Sequence, residues 1–538
     1  MQKHGIATEN RGYAGGIVVA WKKDNMNVTL CCKKFQYMHL KVNVMGGCDW
    51  YFTPIYASPN EDNRKSLWED LKLIADSMQE PWMIAGDFND IVCANEKKNG
   101  APVSLRRCNN FRERINACNL MDLGSVGAKF TWRGPIYHGG QRIYERLDRA
   151  LSNDKWRIQF PDGFVKVLPR VDFSDHHPLL IETIGTKNNA APKQFRFESA
   201  WLLDESYQDV LKRNWKHDLK VVENLASLQN DFKRWKLFTI DQVIMKKKEI
   251  MARLGGIQNS LHNGTQHGGL WQLENKLQTE LSEILKKEEL MWFQRSRAKW
   301  LIDGDRNTRY YHLKTISRRR RNNIVMLKND QGDWIEDNIQ LQELVNNYYK
   351  QLFKLNVQDT RWQQTMITFP ELNSEEIENL GSEITNDEVK GAVFEMSPWK
   401  SPGPDGFPAG FYQQSWDTVG PTVCDFVKEV WKSPSIIATV NQTDICLIPK
   451  VDHPEVVSQF RPISLCNTIY KIVSKVIVAR LKIYIPKLVS PFQTGFVPGR
   501  NIHENIIVAK EMIHSMHMAR GRKGYFAIKV DLSKAYDK

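Results

Sequence analysis

No apolar run in the sequence approaches the roughly 18 residues a membrane-crossing helix needs. The opening stretch MQKHGIATENRGYAGG also lacks the apolar segment of a secretory signal. These absences predict a chain with no place in a membrane and no route to secretion. There is no CxxC pair or Cys/His cluster with zinc spacing, and nine cysteines, two of them adjacent at Cys31 and Cys32, leave one over from any complete pairing. Reduced thiols in an intracellular protein are the economical expectation. No repeat of fixed period is visible. With 41 % hydrophobic and 25 % charged residues, the composition excludes a wholly disordered or collagen-like chain. Its 538 residues leave room for three or four domains, at roughly 150 residues each.

Positive charge is in excess: 75 Lys and Arg against 62 Asp and Glu, a net +13. Between Lys286 and Arg321, twelve basic residues stand against four acidic ones. A local concentration of this kind suits a polyanion, because each phosphate contact releases condensed counterions; a solvated helix face is the structural alternative. The same stretch carries Trp292, Phe293, Trp300, Tyr310 and Tyr311. Aromatics can stack on unpaired bases while cations track phosphates, or they can pack on a neighbouring domain. The nucleic-acid-binding candidates are Arg295, Arg297, Lys299, Arg318, Arg319, Arg320 and Arg321. The run Arg318–Arg321 also reads as a nuclear-localisation patch.

Three segments follow from the patterning. Over 1–185, short apolar runs alternate with helical patterns, the mark of a layered α/β domain. Gly15–Lys22 and Trp50–Tyr56 read as strands, as does WMIAG up to Asp87. Leu67, Leu71, Ile74 and Met78 line one helix face, and Cys108, Phe111, Ile115 and Cys118 another. Over 186–370 the chain is long-helical and basic, with an interruption near Gly255–Gly269. Over 371–538, Thr385 and Glu388 form a capping box opening a helix. A Pro/Gly-rich loop (SPGPDGFP), a strand at Ile445–Ile448, a helix through Ile469, Ile472, Val473 and Val476, a helix over Ile502–Met518 and a terminal strand YFAIKVDL complete the pattern.

Asp87 and Asn89 stand in GDFN directly after a buried-looking strand, and strand ends are where α/β sheets gather ligands. Asp148 lies in ERLDRAL, and Asp175 and His176 in FSDHHPLL. Each alone has a structural reading as a turn or packing residue. Together they supply what phosphodiester hydrolysis needs: a base to activate water, an orienter for that base, and groups for phosphate and metal.

PWMIAGDFND, KFTWRG, ERLDRALSN and FSDHHPLL, spread over Arg11 to Glu182, resemble the endonuclease/exonuclease/phosphatase fold in the apurinic-endonuclease-like version carried by LINE-type retrotransposons. The resemblance implies His176 as general base and Asp148 as its orienter. It implies Asp87 and Asn89 positioning water and scissile phosphate, Tyr56 contacting phosphate, and Asp175 helping to hold Mg²⁺, with Mn²⁺ as a substitute. Trp132 is implied at a DNA-facing rim, with a core position as the alternative. In the family an Asn-bearing strand and a metal-binding Glu precede the segment matching RGYAGG, where this chain starts. Glu9 lacks their context and is not assigned the role. An incomplete sandwich and a crippled endonuclease are therefore expected.

PWKSPGPDGF, LIPK, FRPISLCNTIYKIVSKVIVARL, QTGFVPGRNIHENI and KVDLSKAYDK follow in that order. They resemble the fingers and first palm motif of non-LTR retrotransposon reverse transcriptases of the plant LINE-type group. Polymerisation needs two metal ions about 4 Å apart, held by strand-borne carboxylates. The resemblance implies Asp531 as the first metal-binding aspartate, with the Leu532 carbonyl beside it, and Tyr536 as a steric gate. It implies Lys450 and Arg461 neutralising the incoming triphosphate, and Gln493 and Arg500 on the template side. The family's second catalytic motif, aromatic-Ala-Asp-Asp, does not occur in the sequence, so this polypeptide alone is not expected to polymerise.

The expected fold is thus multidomain α/β and α+β: an endonuclease/exonuclease/phosphatase α/β sandwich, a helical basic connector, and partial reverse-transcriptase fingers with the start of a palm. The expected function is that of a retrotransposon-derived protein, a DNA endonuclease fused to an RNA-directed DNA polymerase, incomplete in both sites. Its partners would be DNA and RNA, with no membrane and no specific protein partner, in the nucleus. A non-catalytic nucleic-acid-binding remnant and a standalone Mg²⁺ phosphoesterase are the alternatives.

Overall fold

The computed structural model describes residues 3–8, 16–22, 26–137, 140–171, 174–183, 194–238, 243–262, 268–297, 308–354, 370–519 and 524–530. Two compact units are present, each assembled from separated stretches: Met1–Ala191, Arg295–Asn346 and Leu447–Arg461 in one, Pro192–Gln294, Asn347–Cys446 and Pro462–Lys538 in the other. These units cut across the three segments read from the sequence, because the middle helical stretch is divided between them.

The first unit is built on a six-stranded sheet in the order Met26–Lys34, Tyr37–Val44, Trp50–Tyr56, Trp82–Asp87, Asp148–Ser152, Met121–Asp122. Trp82–Asp87 is central, parallel to Trp50–Tyr56 and antiparallel to Asp148–Ser152. Side chains alternate across a strand, and this strand is covered on both faces. Trp82 and Ile84 pack with Trp68, Leu71 and Phe111, whereas Met83 and Ala85 pack with Ala150, Trp156 and Val165. The first face is supplied by two helices, α1 (Glu61–Ser77) and α2 (Leu105–Ala117). Helix α1 is capped by the Asn60 side chain and α2 by Ser104, each accepting a backbone N–H of its first turn. Leu67, Leu71, Cys108, Phe111, Ile115 and Cys118 are buried as the helical spacing predicts.

One feature of this unit was not expected. Glu96 and Asp122 hold Arg146 and Arg149 in a buried ion cluster, with Arg149 Nη2 2.6 Å from Glu96 Oε2 and Arg146 Nη1 2.9 Å from Glu96 Oε1. The guanidiniums keep the Asp122 carboxyl well below its usual range despite burial. Patterning reads such residues as surface, because isolated charges are costly to bury; pairing changes that balance.

In the second unit, Phe197, Trp201, Tyr207 and Phe232 share one core with Val389, Val393, Phe407, Phe411, Val423 and Ile472. The capping box at Thr385 and Glu388 is present, opening the helix Asn386–Phe394. Gly255 and Gly256 lie inside the helix Val243–His262, and the next helix, Gly268–Ser296, starts within the expected interruption, of which 263–267 lie outside the described residues. The helix Ile502–Met518 has the expected bounds but buries no side chain. The terminal strand does not form over the described residues 524–530: the backbone there joins no sheet, and Tyr525, Phe526, Ile528 and Val530 are exposed. A strand needs a neighbour to take its N–H and C=O groups, and these residues have none in a ladder.

Candidate functional site

Gly86 explains how the GDFN turn is reached. Its φ is +142°, and a Cβ there would lie 2.0 Å from Ile55 O, so only glycine lets the two strands run this close. The register then sets Tyr56 opposite Asp87 on one side and Asp148 opposite Asp87 on the other. Asn89 adopts left-handed backbone at φ 49°. From there its backbone N–H and side-chain amide donate to the two Asp87 carboxylate oxygens, each at 2.8 Å, and the amide also reaches Ala57 O.

His176 arrives from a different part of the chain through an isolated bridge to Trp132. Its Nδ1 lies 2.8 Å from Asp148 Oδ2, which leaves Nε2 as the atom able to take a proton. Burial acts to lower the His176 pKa, but the Asp148 hydrogen bond and the carboxylates of Asp148, Asp87 and Asp175 outweigh it and raise it. Burial first, and then the Asp148 charge, push Asp87 up to about 6. The Asp148 carboxylate thus acts on both Asp87 and His176, and shifted groups gathered in this way are common at functional sites.

Thr131 and Trp132, from KFTWRG, hold this arrangement together. The buried Thr131 Oγ1 accepts the backbone N–H groups of Leu147 and Asp148 at 3.0 and 2.9 Å. Thr131 O accepts the N–H of His177 at 2.7 Å. Thr131 therefore ties the base segment to the orienter segment, a role with no sequence signature beyond its motif. Trp132 Nε1 donates to Asp175 Oδ2 at 2.9 Å; the indole is half-buried and fixes the aspartate from the side.

Of the residues expected here, Asp87, Asn89, Asp148 and His176 come together, with Tyr56 in register beside them. Asp175 is exposed. Among the described residues, no three His, Cys, Asp or Glu side chains gather as a metal site. A Mg²⁺ ion is commonly held by one or two carboxylates and completed by water and substrate phosphate. Single carboxylates are what these residues offer, so no step of the chemistry below is routed through a metal.

The polymerase-side residues are more scattered. Lys450, just after the strand Thr443–Pro449, and Arg461, near the start of the strand Phe460–Cys466, are both exposed, and Lys450 N–H bonds Gln459 O at 2.8 Å. Arg500 is taken up by carbonyls at the end of the helix Thr468–Leu488, including Pro486 O at 2.9 Å and Val489 O at 3.1 Å. Asp531, Leu532 and Tyr536 lie outside the described residues, as do Lys299 and Trp300.

The basic run is divided by its helix, Thr308–Asn322. Arg319 is exposed, and Arg321 makes an exposed ion pair with Asp452 at 3.0 Å. Arg318 donates to Arg295 O, and Arg297 is exposed at the end of the preceding helix. Arg320 turns inward. Its Nη2 donates to Gly124 O at 2.9 Å, and burial, with Arg157 and Arg146 nearby, pushes it down to about 9. Tyr311 is buried, so it packs rather than offering a stacking face.

Residues 3–176 match the Endonuclease/Exonuclease/phosphatase family, and residues 448–538 match Reverse transcriptase (RNA-dependent DNA polymerase). Two family models thus match separate parts of this chain. Both families are typically dependent on divalent metal. The chain is homologous to "Transposon TX1 uncharacterized 149 kDa protein" of Xenopus laevis, 24 % identical over 529 residues that make up 93 % of this chain and 39 % of the relative. It thus spans about two fifths of that relative's length. Among solved structures, it is similar to the endonuclease domain of TRAS1, a telomere-specific non-LTR retrotransposon, at 14 % identity and a TM-score of 0.28, covering 35 % of this chain and 81 % of that one. An endonuclease/exonuclease/phosphatase family protein from Leptotrichia buccalis matches at 16 % identity and a TM-score of 0.25, covering 34 % of this chain and 72 % of that one. Among the described residues no helix is long and apolar enough to cross a membrane.

Proposed function

We propose that this chain derives from a non-LTR retrotransposon protein of the LINE type, in which a DNA endonuclease supplies the primer end for an RNA-directed DNA polymerase. The observation that carries the nuclease half is the His176–Asp148 bond at 2.8 Å with Asp87 directly opposite Asp148. In this reading Asp148 holds the imidazole with Nδ1 protonated, and Nε2 takes a proton from water as it attacks phosphorus. Asp87 and Asn89 position that water and the phosphate, and Tyr56 steadies the phosphate. A divalent ion, Mg²⁺ or Mn²⁺, would have Asp175 as its nearest protein ligand and would supply charge to the leaving oxygen. Lys450, Arg461, Asp531 and Tyr536 belong to the polymerase half, and the exposed arginines to a nucleic-acid-binding connector. Nuclear residence follows from this biology.

Nicking of supercoiled plasmid by the purified full chain, with and without Mg²⁺, tests the reading. We expect Mg²⁺-dependent relaxed circles, lost by a factor of roughly 10² to 10⁴ in His176→Ala, as removal of a general base requires. Activity should rise with pH as Asp87 ionises and His176 loses its proton. Salt-sensitive DNA binding with no nicking would sink the catalytic reading and leave the connector's binding, through Arg319 and Arg321 at its exposed face, as the function. Nicking of short phosphoesters in preference to DNA would point instead to a general phosphoesterase.

A further inference from the structure

Behind the GDFN turn lies a buried carboxylate that the chemistry above does not use. The Asp90 side chain is 2 % exposed and meets two guanidiniums. Arg107, on α2, places Nε 2.6 Å from Asp90 Oδ1 and donates from Nη2 to the backbone oxygen of Asn89, also at 2.6 Å. Arg64, on α1, lies with Nε 3.4 Å from Asp90 Oδ2 and donates from Nη1 to Ser58 O and Pro59 O at 2.9 and 2.7 Å. One carboxylate therefore joins the loop that follows strand Trp50–Tyr56 to the loop that follows strand Trp82–Asp87. The helices that cover the sheet supply both arms.

We infer that Arg107, Asp90 and Arg64 form a positioning clamp for the cleavage centre, acting through Asn89; the inference rests on the phosphodiester reading of that centre. Asn89 stands in left-handed backbone, which asparagine tolerates better than most L residues, and several contacts hold it there. In that conformation its N–H and its amide reach both oxygens of Asp87 while the amide also reaches Ala57 O. The Arg107 bond to Asn89 O fixes the peptide that follows, so the residue cannot flip without breaking a charge-assisted bond. The Arg64 arm fixes the chain two residues beyond Tyr56. Both phosphate-facing loops are thus held from behind by charges that do not face the substrate themselves. Arg107 is 38 % exposed in its side chain, and Arg107→Lys keeps a cation beside the buried Asp90.

The test uses the full chain carrying Arg107→Met, Arg107→Lys, or Arg112→Met as a neighbour on the same helix, whose Nη2 bonds only Val92 O among the hydrogen bonds of this region. Amide hydrogen exchange without substrate reads the two loops, residues 57–60 and 87–91. Arg107→Met should speed exchange in both by about tenfold or more, as local opening does, with the remainder of α2 unchanged. Plasmid nicking should fall by about 10² in kcat, the scale of a small misplacement, with KM within about twofold. Arg107→Lys should recover part of both effects, and Arg112→Met should show neither. Unchanged exchange in both loops overturns the clamp. A raised KM with kcat intact also overturns it and makes Arg107 a direct phosphate contact. If the wild-type chain does not nick DNA, the phosphodiester reading fails on its own, and the exchange data still decide whether the clamp exists.

Discussion

Helix α2 and the helix Ile502–Met518 both carry apolar residues at helical spacing, yet their fates differ. Helix α2 buries Cys108, Phe111 and Ile115 against the sheet. The later helix leaves Ile506, Ile507, Val508 and Ile513 between 46 % and 59 % exposed. The same contrast separates two strands. Trp82–Asp87 has a paired neighbour on each side, whereas Tyr525–Val530 has no ladder among the described residues. An amphipathic pattern says which face wants cover; it does not supply the cover. The consequence for chemistry is direct. Asp87 is aimed by two neighbouring strands, while the segment leading to Asp531 has nothing in the described structure to aim it.

That comparison can be broken by perturbing each side in turn. The largest effect expected is catalytic: Asp148→Asn keeps the hydrogen-bonding shape but favours the wrong imidazole tautomer, so nicking should fall by roughly 10² or more, with DNA affinity unchanged in a filter-binding assay. Next in size, Phe111→Ala should destabilise the sheet by about 3–5 kcal/mol, read as lost hydrogen-exchange protection in Trp82–Asp87. Ile513→Ala, the matching change in the exposed helix, should stay within about 0.5 kcal/mol; an equal loss in both would mean that the exposed helix is covered in solution.

Asp87→Asn offers a pH test of the same central strand. The folded-state pKa of Asp87, about 6, lies above its ordinary 3.8, so the native state holds that proton more tightly than the unfolded chain. Its contribution is therefore most favourable below pH 3.8 and is lost as pH rises to about 6. The variant should gain on the wild type across that window, by up to about 3 kcal/mol for two pKa units, less the cost of a mismatched amide facing Asn89. A gap that stays constant with pH would show that Asp87 is not desolvated. The smallest effect concerns the basic helix. Arg319→Ala should reduce the salt slope of DNA binding by about one unit, and Arg320→Ala should leave it unchanged because that guanidinium is already bonded to Gly124 O.

Much of the first unit was legible locally. Spacing gives α1 and α2 and turn residues bound the strands; in the second unit, the Thr385–Glu388 pair announces its own helix. The His176–Asp148 contact was legible only through resemblance, since 28 residues separate the two and no local pattern joins them. Three features escaped. Glu96, Arg146 and Arg149 look like surface because burial by mutual pairing leaves no periodic trace. Arg64, Asp90 and Arg107 lie on three different elements. Arg320 is one of four identical neighbours, and only the helix phase decides which of them turns inward.

The inward turn of Arg320 has a consequence for inheritance. The body that contains Asp87 and His176 also contains 295–346 and 447–461. Arg320 reaches the carbonyl of Gly124 across 196 residues of chain, and His453 reaches that of Ser125 across 328. The block 1–185 lifted out alone would leave two carbonyls without their donors and expose the turn that holds Asp122. Substitutions around Gly124 and Ser125 should then be tracked by changes at the distant positions that dock there, so that these separated stretches descend together rather than as interchangeable parts.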